Sequence, residues 1–168
     1  MKAIDYKEGM ALLTERLGHG GAFLNVAGET PNTMTIGWAT IGTIWGKPIL
    51  MVAVRPQRHT YALINAAGEF TVSVPTDRPL RKELAFAGTA SGRDGSKFEG
   101  HGLTAAPAQK VGAPIVAECG LHFECRMLLT QDMTGDRMAD EIIKLDYPAR
   151  DFHRMYFGEI LACYRTDD

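Results

Sequence analysis

The chain has 168 residues, 45% hydrophobic and 23% charged, with a formal net charge of −2. That is enough for one domain with a real core, and too apolar for a disordered chain. Near-neutral charge with no Lys/Arg run leaves no nucleic-acid footprint, and three Cys in a chain this long do not make a disulfide framework. The opening residues MKAIDYKEGM lack the apolar run of an export signal, so a cytoplasmic location is expected.

Tyr6–Leu17 reads as a short amphipathic helix with Met10, Leu13 and Leu17 on one stripe. Gly18 to Gly21 ends it and turns into a strand, AFLNVA. This glycine cluster is not a dinucleotide fingerprint, because Phe23 stands where the third Gly belongs, and no Lys-Ser/Thr pair follows to make a P-loop.

The stretch from Pro31 to Tyr61 organises the rest. A membrane span would need about 20 largely apolar residues, whereas Thr, Gly and Asn interrupt this one and Lys47 sits in its middle. Thr33 to Thr40 reads as a single alternating strand. Met34, Ile36, Trp38 and Thr40 take one face, and Thr35, Gly37 and Ala39 the nearly bare other face. Either something flat approaches the backbone there, or a large neighbouring side chain packs into the space. Ile49 to Val54 is apolar enough to be a strand buried on both faces.

The chain then empties into Arg55-Pro56-Gln57-Arg58-His59-Thr60 and a helix, HTYALINAAG, with Pro56 suited to its first turn and Gly68 as its stop. Arg58 and His59 face the positive end of the helix dipole, at a cost of about 0.3–1 kcal/mol per exposed charge. Either the fold absorbs that cost, or a bound anion reverses its sign.

Glu69 to Val74 reads as another strand and Arg78 to Phe86 as a helix. The polar, glycine-rich segment from Gly88 to Gly102 is either a solvated loop or, through Ser91, Arg93, Asp94, Ser96 and Lys97, a source of hydroxyls and charge for a phosphate or ring. From Pro114 onward the pattern is all strand: IVAECGLHFECRMLL, ADEIIKLDYP and HRMYFGEILACYR. At least six strands with few helices predict a mainly β protein, a closed or nearly closed barrel with peripheral helices, as one domain over residues 1–168.

Cys119, His122 and Cys125 do not make a metal site. On a strand His122 faces away from both thiols, which lie about 20 Å apart at ~3.3 Å per residue; buried thiols are expected. No G-x-S-x-G elbow frames Ser91. His153 enters the last strand as a lone polar residue, equally a structural or a functional histidine.

Four short motifs occur in order. They are Asn32-Thr33-Met34-Thr35-Ile36-Gly37-Trp38, Val54-Arg55-Pro56-Gln57-Arg58-His59-Thr60, Ser91-Gly92-Arg93-Asp94 with Lys97-Phe98, and His153 with Phe157-Gly158-Glu159-Ile160. Together they resemble the flavin reductase-like, FMN-binding split-barrel family, most specifically its flavoredoxin branch, over roughly Ala22 to Tyr164.

The resemblance implies a split β-barrel with FMN between the Asn32–Thr40 strand and the Arg55–Thr60 turn. Asn32, Thr33, Met34, Thr35, Trp38 and Ala39 would line the ring. Thr40, Arg55, Arg58 and Thr60 would hold the phosphate, and His59 of the same turn would belong to the cofactor site. Ser91, Gly92, Arg93 and Lys97 would close over the cofactor, with His153 beside it. The flavin carries the chemistry, so no protein nucleophile or general base is expected. The resemblance further implies NAD(P)H as electron donor without a Rossmann fold, a homodimer, and a small-molecule or protein electron acceptor. An electron carrier reduced by a partner protein, a flavin-holding module without turnover, and a pyridoxamine-phosphate-oxidase-like activity stand beside that reading. One departure from the family is Gly46-Lys47-Pro48 where it commonly carries a double proline, at the mouth of the pocket.

Overall fold

The computed structural model describes residues 1–166. In chain order they form β1 (Lys2–Ala3), α1 (Tyr6–Leu17), β2 (Ala22–Val26), β3 (Asn32–Ile36), β4 (Ala39–Ile44), β5 (Lys47–Val54), α2 (His59–Ala67), β6 (Glu69–Val74) and α3 (Arg81–Thr89). After α3 come β7 (Ala105–Ala106), β8 (Ile115–Val116), β9 (Leu121–Asp132), a 3-10 turn at Gly135–Arg137, α4 (Asp140–Asp146) and β10 (Arg154–Arg165).

The strands of the main sheet run β3-β2-β6-β9-β10-β5-β4, antiparallel throughout, with β1 added to β10. Its two outer strands, β3 and β4, are consecutive in sequence and joined only by Gly37 and Trp38. The sheet therefore curls until its edges meet at that corner, with no hydrogen-bonded ladder between them: a split β-barrel. Curvature comes from the long β9–β10 pair, whose register shifts at Phe157/Gly158 and at Ile160/Ala162. Alternate residues of each strand, among them Leu24, Leu50, Val52, Val72, Phe123 and Tyr156, fill the barrel, and Leu13 of α1 completes the core. A second cluster on the outside joins Phe23 to Leu84 and Ala87 of α3 and to Val116.

Gly158 sits at the first register shift because nothing larger fits. A Cβ there would lie 2.7 Å from Phe70 Cζ and 2.8 Å from Cys125 Cβ. Gly158→Ala is expected to lower stability by about 1–3 kcal/mol through overpacking, read as a lower urea midpoint. An unchanged midpoint would show that the barrel wall yields at this point.

Several local expectations are corrected. The single strand over Thr33 to Thr40 is two strands, because the chain crosses from one sheet edge to the other at Gly37–Trp38. ADEIIKLDYP is not a strand but contains helix α4: Asp140 and Glu141 in its first turn and Lys144 in its last complement the helix dipole. The helix expected from Arg78 begins at Arg81, because Pro79 disfavours helical backbone at Arg78 and Leu80 is the left-handed N-cap, φ 43°. Pro56 precedes α2, whose first residue is His59. IVAECGLHFECRMLL is two strands, β8 and β9, separated at residues 117–120.

Cys119, Cys125 and Cys163 are buried and free. Burial raises all three thiols, Cys163 to about 12, which keeps them out of the reactive thiolate form. His122 bonds Ser73 and Thr166 instead of facing a thiol. No helix among the described residues is long and apolar enough to cross a membrane.

Candidate functional site

Two adjoining cavities open along the barrel's split. They share Met34, Arg55 and Arg58, and have volumes of about 460 and 210 Å³.

The larger cavity is built on the start of α2. After β5 the chain turns, with the Arg58 amide donating to the Arg55 carbonyl at 3.1 Å, and Arg58 becomes the N-cap. No side chain caps this helix and no acid stands in its first turn, so its positive end is open to the cavity. Thr60, 1% exposed, accepts a hydrogen bond from Asn32 Nδ2 at 2.8 Å. With that acceptor site filled, its own O–H proton is left for a ligand.

The 88–102 loop closes the other side. Gly92 lies so close to Asn32 and His59 that a Cβ would overlap both. Arg93 Nη1 donates to the Gln57 carbonyl at 3.2 Å, tying the loop to the turn before α2. Arg58 Nη1 donates to the Gly88 carbonyl at 2.9 Å, and Lys97 Nζ, of a residue only 4% exposed, donates to the Ala87 carbonyl at 2.8 Å.

No Asp or Glu lines this cavity. Among the described residues no ion pair involves Arg58, Arg93 or Lys97. Burial, with Arg58 nearby, holds Lys97 down at about 8, and burial, with Arg93 and Lys97, lowers His59. Three crowded cations without a counter-charge, with Lys97 buried and Arg58 and Arg93 exposed at the rim, suit an anion.

The smaller cavity runs along the unpaired edge of β3, from Met34 through Gly37 to Trp38, and reaches Ala53 and His153. On an edge strand, alternate main-chain N–H and C=O groups point away from the neighbouring strand, and residues of this edge line the cavity. Trp38 is 43% exposed, and the His153 ring lies 4.7 Å from it, centroid to centroid. His153 Nδ1 meets the hydroxyl of buried Tyr147 at 2.8 Å. Burial first, then the Arg55 charge, lowers His153 to about 4, so its imidazole is neutral at pH 7.

Arg55 lines both cavities, yet its guanidinium is committed to Asp151, to the Asp146 carbonyl at 2.9 Å, and to the face of Tyr147. Arg55→Ala removes a positive charge near His153 and frees Asp151, which favours protonation, from its ion pair, while burial and Arg58 still oppose protonation. His153 is therefore expected to titrate above about 4 in an NMR pH titration of this variant. An unmoved titration would contradict the electrostatic account of the ring.

Most of the expected site residues meet at these cavities. Met34, Arg55, Arg58, His59, Thr60, Ser91, Gly92, Arg93 and Lys97 line the larger, and Thr35, Trp38 and His153 the smaller. Asn32 acts from behind, through Thr60. Three residues are elsewhere: Thr33 is fully buried and lines neither cavity, while Ala39 and Thr40 line a separate pocket beneath α1. Sequence reasoning missed Tyr147 and Asp151, because the DYPARDFH segment follows a helix misread as a strand. It also passed over Thr89, whose place just before Ser91 was the available signal.

These features define a class: a split β-barrel with a cationic cleft along its seam. The flavin reductase like domain matches residues 16–168, and the chain belongs to the flavin reductase-like family. An uncharacterized protein of Archaeoglobus fulgidus is 36% identical over 146 residues, which span 86% of this chain and 72% of that one. Among solved structures, flavoredoxin of Desulfovibrio vulgaris (Miyazaki F) superimposes with a TM-score of 0.68 at 25% identity, over 87% of this chain and 69% of that one. An NADH:FAD oxidoreductase of Streptomyces globisporus does so with a TM-score of 0.66 at 19% identity, over 98% and 87%; at that identity the likeness is one of fold.

Proposed function

We propose that this protein is an FMN-binding oxidoreductase that takes hydride from NAD(P)H and passes electrons to a small-molecule or protein acceptor. The observation that carries the reading is the acid-free cluster of Arg58, Arg93 and Lys97 at the open start of α2, continuous with a narrow cavity along a bare strand edge. A monophosphate suits the first part and a flat ring the second. The donor set fits the group: two guanidiniums, an ammonium, the Thr60 hydroxyl and helix amides are all hydrogen-bond donors.

Bound FMN would supply the redox chemistry. The chain's residues do the rest. Thr60, Arg58 and Lys97 hold the phosphate, Gly92 and Arg93 keep the loop over it, and the β3 edge offers main-chain donors to ring carbonyls. Trp38 and neutral His153 border the space where a second ligand would approach.

A second reading, an electron carrier reduced by a partner protein, draws support from the likeness to flavoredoxin. Anaerobic mixing of the FMN-loaded protein with NADPH and with NADH separates them. Rapid bleaching with either supports the reductase, and no bleaching with both would leave the carrier.

A cytoplasmic homodimer belongs to the same proposal. Its support is a row of apolar side chains on the outer sheet face, Met51, Phe157 and Leu129, paired in register across β5, β10 and β9, with Leu129 41% exposed. Light scattering that reads a monomer at micromolar concentration would remove the dimer.

A further inference from the structure

The oxygen of Tyr147 touches two groups that compete for its single proton: Nδ1 of His153 at 2.8 Å and Sδ of Met133 at 3.2 Å. A phenol donates more strongly than an imidazole N–H, an imidazole nitrogen accepts more strongly than a phenol oxygen, and a thioether is a weak acceptor. The proton therefore goes to Nδ1, and in a neutral ring Nε2 must then carry the other hydrogen.

We infer that Tyr147 is a positioning residue that locks His153 in its Nε2–H form, so that the small cavity beside Trp38 presents one uncharged donor. That donor fits a neutral ligand bearing an acceptor oxygen, a carboxamide or a ring carbonyl.

Several features of the surroundings support this. Tyr147 is 1% exposed, at the end of α4, and its ring is fixed from three sides by Arg55 at 5.3 Å, Phe152 at 5.0 Å and Trp38 at 6.1 Å. The charged groups bearing on His153 are Arg55 and Arg58, which disfavour its protonation, and Asp151 and Asp146, which favour it. Burial outweighs them all, so the ring stays neutral across the physiological range. A charged imidazole would offer both nitrogens as donors and would attract anions. This neutral one selects by geometry.

The role toward a second ligand rests on the flavin reading above; the tautomer does not. The test is accordingly made on the FMN-free protein, by nitrogen-15 NMR of the histidine side chains, with His153 assigned through His153→Gln. Expected is a protonated Nε2 and a bare Nδ1; a protonated Nδ1 in the wild-type protein overturns the inference.

Tyr147→Phe gives an independent sign. Losing a donor to the bare Nδ1 relieves a bond that only the neutral ring can make, so the protonation constant of His153 rises by about three- to tenfold. If Tyr147 were instead the acceptor, the same substitution would lower it. A protein that fails to hold FMN but shows the Nε2–H form refutes the flavin reading and leaves this one standing.

Discussion

Replacing Lys97 by Met weakens FMN binding by about a hundredfold and makes the FMN-free protein more stable. Both effects have one source. Lys97 is a buried ammonium, 4% exposed, that donates to the Ala87 carbonyl, with Arg58 close enough to repel it. Without an anion, that charge costs the fold on the order of 1–3 kcal/mol, which is the meaning of a Lys held at about 8 in place of 10.5. For a base lowered in the folded state, the cost is present at pH 7 and fades as the pH rises from about 8 toward 10.5.

A phosphate reverses the balance, because the buried ammonium then gains the counter-charge the fold withholds. Removing it costs ~3 kcal/mol of affinity, hence the hundredfold. Affinity of the wild-type protein should also fall as the pH passes about 8 and Lys97 loses its proton, and that step should vanish in Lys97→Met. Fluorescence titration with FMN and thermal unfolding of the FMN-free protein read the two halves. Unchanged affinity would remove Lys97 from the phosphate site.

Thr60→Val is the second large effect, and it has the opposite pattern. Here binding and stability fall together. The substitution keeps the shape but leaves the Nδ2 donor of Asn32, itself 3% exposed, without its buried partner. An unsatisfied buried donor costs about 1–3 kcal/mol of stability. The hydroxyl proton that Thr60 offers the phosphate is lost as well, which weakens FMN by roughly tenfold or more. Thr60→Ser retains both bonds and should restore most of each loss. If Thr60→Val binds FMN as tightly as the wild type, the hydroxyl does not reach the phosphate.

What could be read from the sequence, and what could not, divides along physical lines. Arg58, His59 and Thr60 were legible because a basic pair at a helix start defies the dipole, and such a defiance asks for a reason. The Ser91–Lys97 loop was legible as a polar segment, either solvated or a source of hydroxyls and charge, and the fold places Ser91, Gly92, Arg93 and Lys97 on the larger cavity. The corner at Gly37–Trp38 was not, since an alternating pattern continues unbroken through a change of sheet edge, and only the pairing reveals that β3 and β4 belong to opposite ends of the sheet. That is why Thr40, expected at the phosphate, lines another pocket. Tyr147 was hidden for a similar reason: alternation in EIIKLDY mimics a strand, while the charges at the two ends of α4 state a helix. Arg55 shows a further limit. Its place in a basic cluster was plain, but its engagement with Asp151, distant in sequence, depends on the tertiary fold.

The most direct test of the central claim is the visible absorption spectrum of the purified protein, taken before and after loading with FMN and exhaustive dialysis. The account predicts an oxidised-flavin double band that survives dialysis. A protein that stays colourless would contradict it, leaving the split barrel in place and the cations of its cleft in need of a different anion.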